Sequence, residues 1–178
     1  MTADLHSLVH NAGYDFLREL RHIVKEKEMG SISPYFREPL GVIFACSGIE
    51  GYIYYSGEEQ FSGWCGKQIY KLPIKEKINQ VYSLIDLTPD FSESVFKDVI
   101  DISKFRNRIA HPTFQVTDRR GKSPVPDVFE EAAAKYAVER SYSIATSFRD
   151  RILSDFSLED HWHTRGTNIE TDIIRMKD

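Results

Sequence analysis

Arg106-Asn107, followed by His111-Pro112, sets a permanent cation, an amide and an imidazole near the end of one amphipathic segment. A guanidinium holds phosphate oxygens through a planar fork of donors, and an imidazole exchanges a proton near neutrality. Together these groups suit the handling of a phosphodiester. An Arg with a His a few positions later arises readily by chance, but here Asn directly follows the Arg and Pro directly follows the His.

At 100° per residue, Val95, Val99, Ile102, Arg106 and Ile109 fall on one stripe, so Arg106 is expected on the apolar face. A guanidinium cannot shed its proton, and a partly buried one needs an anion or carbonyl acceptors around it. Phe96, Ile100, Asn107 and His111 form a second stripe, in which Asn107 and His111 are neighbours four residues apart. Asn107 can therefore orient the ring. The residue before a proline is biased away from helical backbone, so the helix is expected to stop at His111. Unpaired carbonyls at a helix end favour imidazolium, which holds the expected pKa near or above about 6.5.

Glu50 is the expected counter-charge, since Ile43, Cys46, Glu50 and Ile53 share a helical face and an acid in an apolar stripe must be paired. Two roles follow from that pairing. In the structural one, Glu50 neutralises a core Arg106 and His111 caps its helix; in the functional one, Glu50 holds Arg106 in position for a substrate phosphate.

The elements that must position these groups are helical. Leu5 to Val24 has apolar residues at helical spacing, with an end expected near Gly30. Pro39 is expected in the first turn of a second helix that runs to about Tyr55, where its missing N–H costs nothing. Gly41, Ala45, Gly48 and Gly51 in that helix permit close approach of another, within the chain or across a dimer, with internal packing expected. Gly57 to Gly66 reads as a loop or a frayed helix end. Leu72-Pro73 opens a third helix closed by Thr88-Pro89, and a fourth begins after Ser92 or Ser94 and carries the Arg106 motif. Asp118 to Pro126 is a loop. Asp127 to Glu130 has the form of a capping box, from which a fifth helix is expected to run unbroken to about Leu153. No strand pattern of useful length appears. The expected fold is all-α, an up-and-down bundle of four to five helices in one domain spanning 1–178, with a polar tail from about 155.

Length and composition set outer bounds. The chain has 178 residues, 41% hydrophobic and 28% charged, enough for one well-buried core. A net charge of -4 excludes a surface coated in positive charge, so any nucleic-acid contact must come from a local patch. Cys46 and Cys65 fit packing in a reducing compartment, and with no signal-like start the expectation is cytoplasmic. The longest apolar run, Leu40 to Ile49, is about half a bilayer span, so no membrane partner is expected.

On these residues the chain resembles the HEPN superfamily, small helical bundles marked by Arg, a polar residue and, a few positions on, His. Arg106, Asn107 and His111 match that motif, and three further features are similar: the helix ending Ser47-Gly48-Ile49-Glu50-Gly51-Tyr52-Ile53, the segment Leu72-Pro73-Ile74-Lys75-Glu76-Lys77-Ile78, and the helix that leads into the motif. The resemblance covers roughly Leu5 to Leu153. It implies a homodimeric endoribonuclease that needs neither metal nor cofactor, in which Arg106 binds the scissile phosphate, Asn107 positions the ring and His111 performs general acid–base catalysis. The implied products are a 2′,3′-cyclic phosphate and a 5′-hydroxyl. The resemblance also implies a toxin or phage-defence setting with an inhibitor protein as partner. Other relatives bind RNA, nucleotide or protein without cutting, and that alternative stays open. Thr113 stands where toxin members regulated by nucleotide transfer carry a Tyr, so that regulation is not expected.

Arg108, beside the motif, and Arg119, Arg120 and Lys122, in the loop after it, are expected contacts for RNA backbone, although solvated charges of this kind are common. His6 with His10, and His161 with His163, lack a third ligand at a recognisable spacing, so no metal site is expected. Cys65 has no base nearby in sequence to make it a nucleophile.

Overall fold

The computed structural model describes residues 12–29, 34–61, 69–110 and 128–159. Among these residues, six α-helices form an all-α bundle: α1 (Ala12–Met29), α2 (Pro34–Gln60), α3 (Ile74–Tyr82), α4 (Ser94–Ala110), α5 (Val128–Lys135) and α6 (Val138–Asp155), with a 3-10 turn, Ser83–Ile85, after α3. No strand occurs among the described residues.

The long helix α2 is the centre of the bundle and packs on every other helix. It runs antiparallel to α1, with Gly13 against Gly48 and Tyr52, and Phe16 tilted on Phe44 at 5.9 Å between ring centroids. It runs parallel to α6, as Gly41 meets Val138 near one end and Gln60 donates to the Phe156 carbonyl at the other. Antiparallel to α6 lies α4, through Phe96 on Phe148 and Arg151 on Glu93. Between them sits a core of fully buried side chains led by Tyr52, Tyr82, Phe96 and Phe148.

The small residues of α2 serve internal packing. A Cβ on Gly51 would lie 2.3 Å from the Gly13 nitrogen, and one on Gly48 would meet the Leu17 side chain at 3.0 Å. Backbone contact this close is open only to glycine, so Gly13 and Gly51 set the depth at which α1 seats. Cys46 is buried, as its expected packing role requires.

Three boundaries differ from expectation. Helix α2 starts at Pro34, which takes the cost-free first position, so Pro39 sits inside the helix rather than in its first turn and leaves one carbonyl without its i+4 partner. The same helix continues past Tyr55 to Gln60, through Gly57. The expected fifth helix is two helices, broken at Tyr136 and Ala137, where Ala137 turns extended at φ -49 and ψ 147.

That break has a tertiary cause. Glu38, on α2 and almost wholly buried, accepts a hydrogen bond from the Val138 N–H and so caps α6 from across the bundle. Arg37 holds the same carboxylate in a fork at 2.9 and 2.6 Å, which keeps a buried charge paired. Removing one partner of such a pair strands the other. Glu38→Ala is therefore expected to lower stability by about 3 kcal/mol in chemical denaturation, while Glu38→Gln, which keeps an acceptor for the Val138 amide, costs less. Equal losses in the two variants would remove the capping explanation.

Candidate functional site

Arg106 lies on the inner side of α4 and reaches α2, where its Nη2 donates to Glu50 Oε1 at 2.9 Å. Both were expected as charges set in apolar stripes, and the structure brings them together. The stripe in α4 holds as well: Val99, Ile102 and Ile109 are buried around Arg106. The stripe in α2 holds less well, because Ile43 is exposed.

A third charge joins them. Lys77 of α3 places its Nζ 3.1 Å from Glu50 Oε2 and 3.3 Å from the Tyr54 hydroxyl, so one carboxylate serves cations from two other helices. Lys77 is the most enclosed member, with a side chain 4% exposed against 26% for Glu50 and 35% for Arg106. A pattern signal for it existed: Ile74, Lys77, Ile78 and Val81 share a helical face on which Lys77 is the lone charge. The preceding Lys75 and Glu76 hid it in a charged run.

Beneath Arg106 sits Cys46. Burial pushes its thiol up to about 12, opposed by the Arg106 cation and the Ser103 hydroxyl beside it, so the sulfur stays protonated and is no nucleophile at neutral pH. Arg106 Nε is also buried and has no acceptor among the described residues. Glu50 takes only one of the guanidinium's two terminal nitrogens.

The trio opens into a cavity of about 520 Å³, of a size that accommodates small ligands. Arg106, Asn107, Lys104, Lys71 and Lys77 line it, with Glu50 the lone carboxylate that the described residues put in the wall. Among the described residues, four cations against one acid make this the local positive patch that a chain of net charge -4 needs if it is to bind an anion. Pro73 and Ile74, at the positive end of α3, complete one side. Asn107, adjacent to Arg106 in sequence, is exposed at the same cavity.

The remaining site residues divide in two. Arg108 is held away from this cavity by Glu131 of α5, in a fork at 3.1 and 2.6 Å, with Lys135 on the same carboxylate at 2.8 Å. His111, Arg119, Arg120 and Lys122 lie outside the described residues, as do His6, His10, Cys65, Thr113, His161 and His163. Among the described residues no group of His, Cys, Asp and Glu is arranged to hold a metal ion, and no helix is long and apolar enough to cross a membrane. Comparison with protein-family models, with curated proteins and with solved structures gives no match.

Two measurements check these charges. Glu50→Ala leaves Lys77 enclosed and facing Arg106 without their shared acceptor, and is expected to cost about 3 kcal/mol. Adding Lys77→Met removes the stranded cation, so the double variant should regain part of that loss; a double variant no more stable than Glu50→Ala alone would show the two residues uncoupled.

The second concerns Glu131, whose carboxyl is pushed down to about 2 from an ordinary 4.5, first by the Arg108 fork and then by Lys135. A depressed folded-state value means stability that is present above about 4.5 and lost as pH falls toward 2. Carbon-detected NMR titration should find the Glu131 midpoint well below that of other glutamates and return it upward in Arg108→Ala. An unmoved midpoint in that variant would assign the shift to another cause.

Proposed function

We propose that this chain is a HEPN-like endoribonuclease that engages RNA phosphate at the Arg106 cavity and cleaves by 2′-hydroxyl attack without a metal. One observation carries the reading: Arg106 and Asn107, two of the three motif residues, open on one solvent-accessible cavity walled by lysines. His111, the third, follows directly in sequence on Ala110, which ends α4.

In this mechanism Arg106 binds the scissile phosphate and stabilises the charge that builds on its oxygens as the transition state forms. The 2′-oxygen bonds to phosphorus while the bond to the 5′-oxygen breaks. A neutral imidazole takes the proton that leaves the 2′-hydroxyl, and an imidazolium supplies one to the departing 5′-oxygen. A homodimer that brings together His111 from each copy provides both protonation states. Asn107 orients the ring. Arg119, Arg120 and Lys122 follow the motif in sequence and add contacts to the RNA backbone. The resemblance to HEPN toxins supports a cytoplasmic setting in toxin action or phage defence, with an inhibitor protein as the restraining partner.

The ion pair itself favours a second reading. Glu50 already neutralises Arg106, as a structural clamp between α2 and α4 would require, and the chain is then a helical module that binds RNA, nucleotide or a protein partner without cutting.

Incubation of the purified protein with mixed single-stranded RNA in EDTA separates the two. Cleavage by the wild-type protein, lost by about a hundredfold or more in His111→Ala with an unchanged melting temperature, is the expected result. If the wild-type protein and His111→Ala leave the RNA equally intact, while Arg106→Ala lowers the melting temperature, the non-catalytic reading holds.

A further inference from the structure

Tyr70 stands out beside the Arg106 cavity. It lines the same space as Lys71, Lys104 and Arg106, yet it is 61% exposed, a large aromatic ring left to water in the segment that leads into α3. Its neighbours in the wall, Leu72, Pro73 and Ile74, are apolar. The cavity thus has two chemically distinct parts: a cationic wall from α4 and α3, and an aromatic and aliphatic side from Tyr70, Leu72, Pro73 and Ile74.

That pairing matches the two parts of one nucleotide. A phosphate seeks the guanidinium and ammonium groups, and a nucleobase stacks on an exposed ring through a face that every base presents. Lys71 Nζ lies over the Tyr70 ring, 5.8 Å from its centroid, so a cation stands on one side of the platform as well as in the wall. Duplex RNA keeps its bases stacked on each other, whereas a single strand can splay one out onto a protein ring.

We infer that the cavity is a one-nucleotide subsite for single-stranded RNA, in which the base stacks on Tyr70 while its phosphate meets Arg106 and Lys104. This rests on the cavity's proposed role as the RNA site and names what it recognises there: an unpaired nucleotide, read by stacking rather than by base sequence. Tyr70 is a binding residue in this scheme and takes no part in proton transfer.

Adenosine monophosphate, ribose 5-phosphate, inorganic phosphate and a short single-stranded oligoadenylate serve as probes, titrated by calorimetry against the full chain carrying His111→Ala so that no probe is consumed. The monophosphate should bind at least tenfold tighter than ribose 5-phosphate, and the oligonucleotide tighter still. Tyr70→Ala should weaken the monophosphate and the oligonucleotide by about tenfold while leaving inorganic phosphate unchanged, and Tyr70→Phe should retain wild-type affinity. Lys104→Glu should weaken all of the probes. Because Tyr70 is exposed, its truncation leaves the fold standing, which an unchanged melting temperature checks.

Monophosphate binding no tighter than that of ribose 5-phosphate, or insensitive to Tyr70→Ala, overturns the inference. An oligonucleotide that binds no tighter than the monophosphate overturns the assignment to RNA and leaves a free nucleotide as the ligand. Nucleotide binding that depends on Tyr70, in a protein that cleaves no RNA, supports the subsite and rejects the nuclease. Cleavage of RNA undiminished by Tyr70→Ala rejects the subsite and keeps the nuclease.

Discussion

Glu50 is the point on which three helices agree. It projects from α2 into the angle between α3 and α4 and accepts from Lys77 on one oxygen and Arg106 on the other. Lys77 is almost wholly out of water, and an ammonium in that position costs several kcal/mol unless a counter-charge reaches it. The seat of α3 against α2 is therefore contingent on one carboxylate. So is the inward course of the Arg106 side chain, which would otherwise be driven to solvent. Because a single acid serves two cations, the cluster retains positive charge, and it does so in the wall of a cavity.

The rest of the bundle holds α2 in the register that this cluster needs. Gly13 against Gly51 brings α1 to backbone distance, and Gly41 admits Val138 of α6 on another side. Arg37 and Glu38 fix where α6 begins, and through Tyr136, packed on Phe105 at 5.0 Å, they also fix how the far end of α4 lies. Arg108 and Glu131 tie that end of α4 to α5. The Arg106 turn is consequently held from two directions: by α2 and α3 on its inner face and by α5 on its outer one. A side chain positioned this way keeps one geometry, which a phosphate-binding group requires.

What the sequence made legible follows from how local each cause is. The four longer helices showed in their periodicity, and the Glu50–Arg106 pair showed because each charge interrupts an apolar stripe that otherwise has to be buried. Lys77 obeys the same logic but follows directly on Lys75 and Glu76, whose charges face water, so the one buried cation in that run does not stand out by type. The break between α5 and α6 has no local mark: Tyr136-Ala137 contains neither glycine, proline nor a capping side chain, and the group that caps Val138 belongs to Glu38, on another helix. Arg108 looked available because its partner, Glu131, is remote in sequence. The two prolines of α2 were separable only by where the structure starts the helix, since the residue type alone lets either stand in a first turn. The cavity wall was beyond reach altogether, because Tyr70 and Lys71 meet Lys104 and Arg106 only once α3 has docked.

Lys77 also decides what the arginine can do. A guanidinium matched one to one with a carboxylate presents an incoming phosphate with no net charge, and the nearby acid repels it. Lys77 changes that balance. By taking the second oxygen of Glu50 it offsets the acid's remaining field, so that the three groups together act as a single positive charge. Lys71 and Lys104 extend the attraction toward solvent, where salt screens them, while the enclosed Lys77 is screened far less. On the proposed reading, then, Glu50 sets the direction of Arg106 and Lys77 preserves its charge. A carboxylate beside a phosphate site is compatible with anion binding here because it arrives already outnumbered.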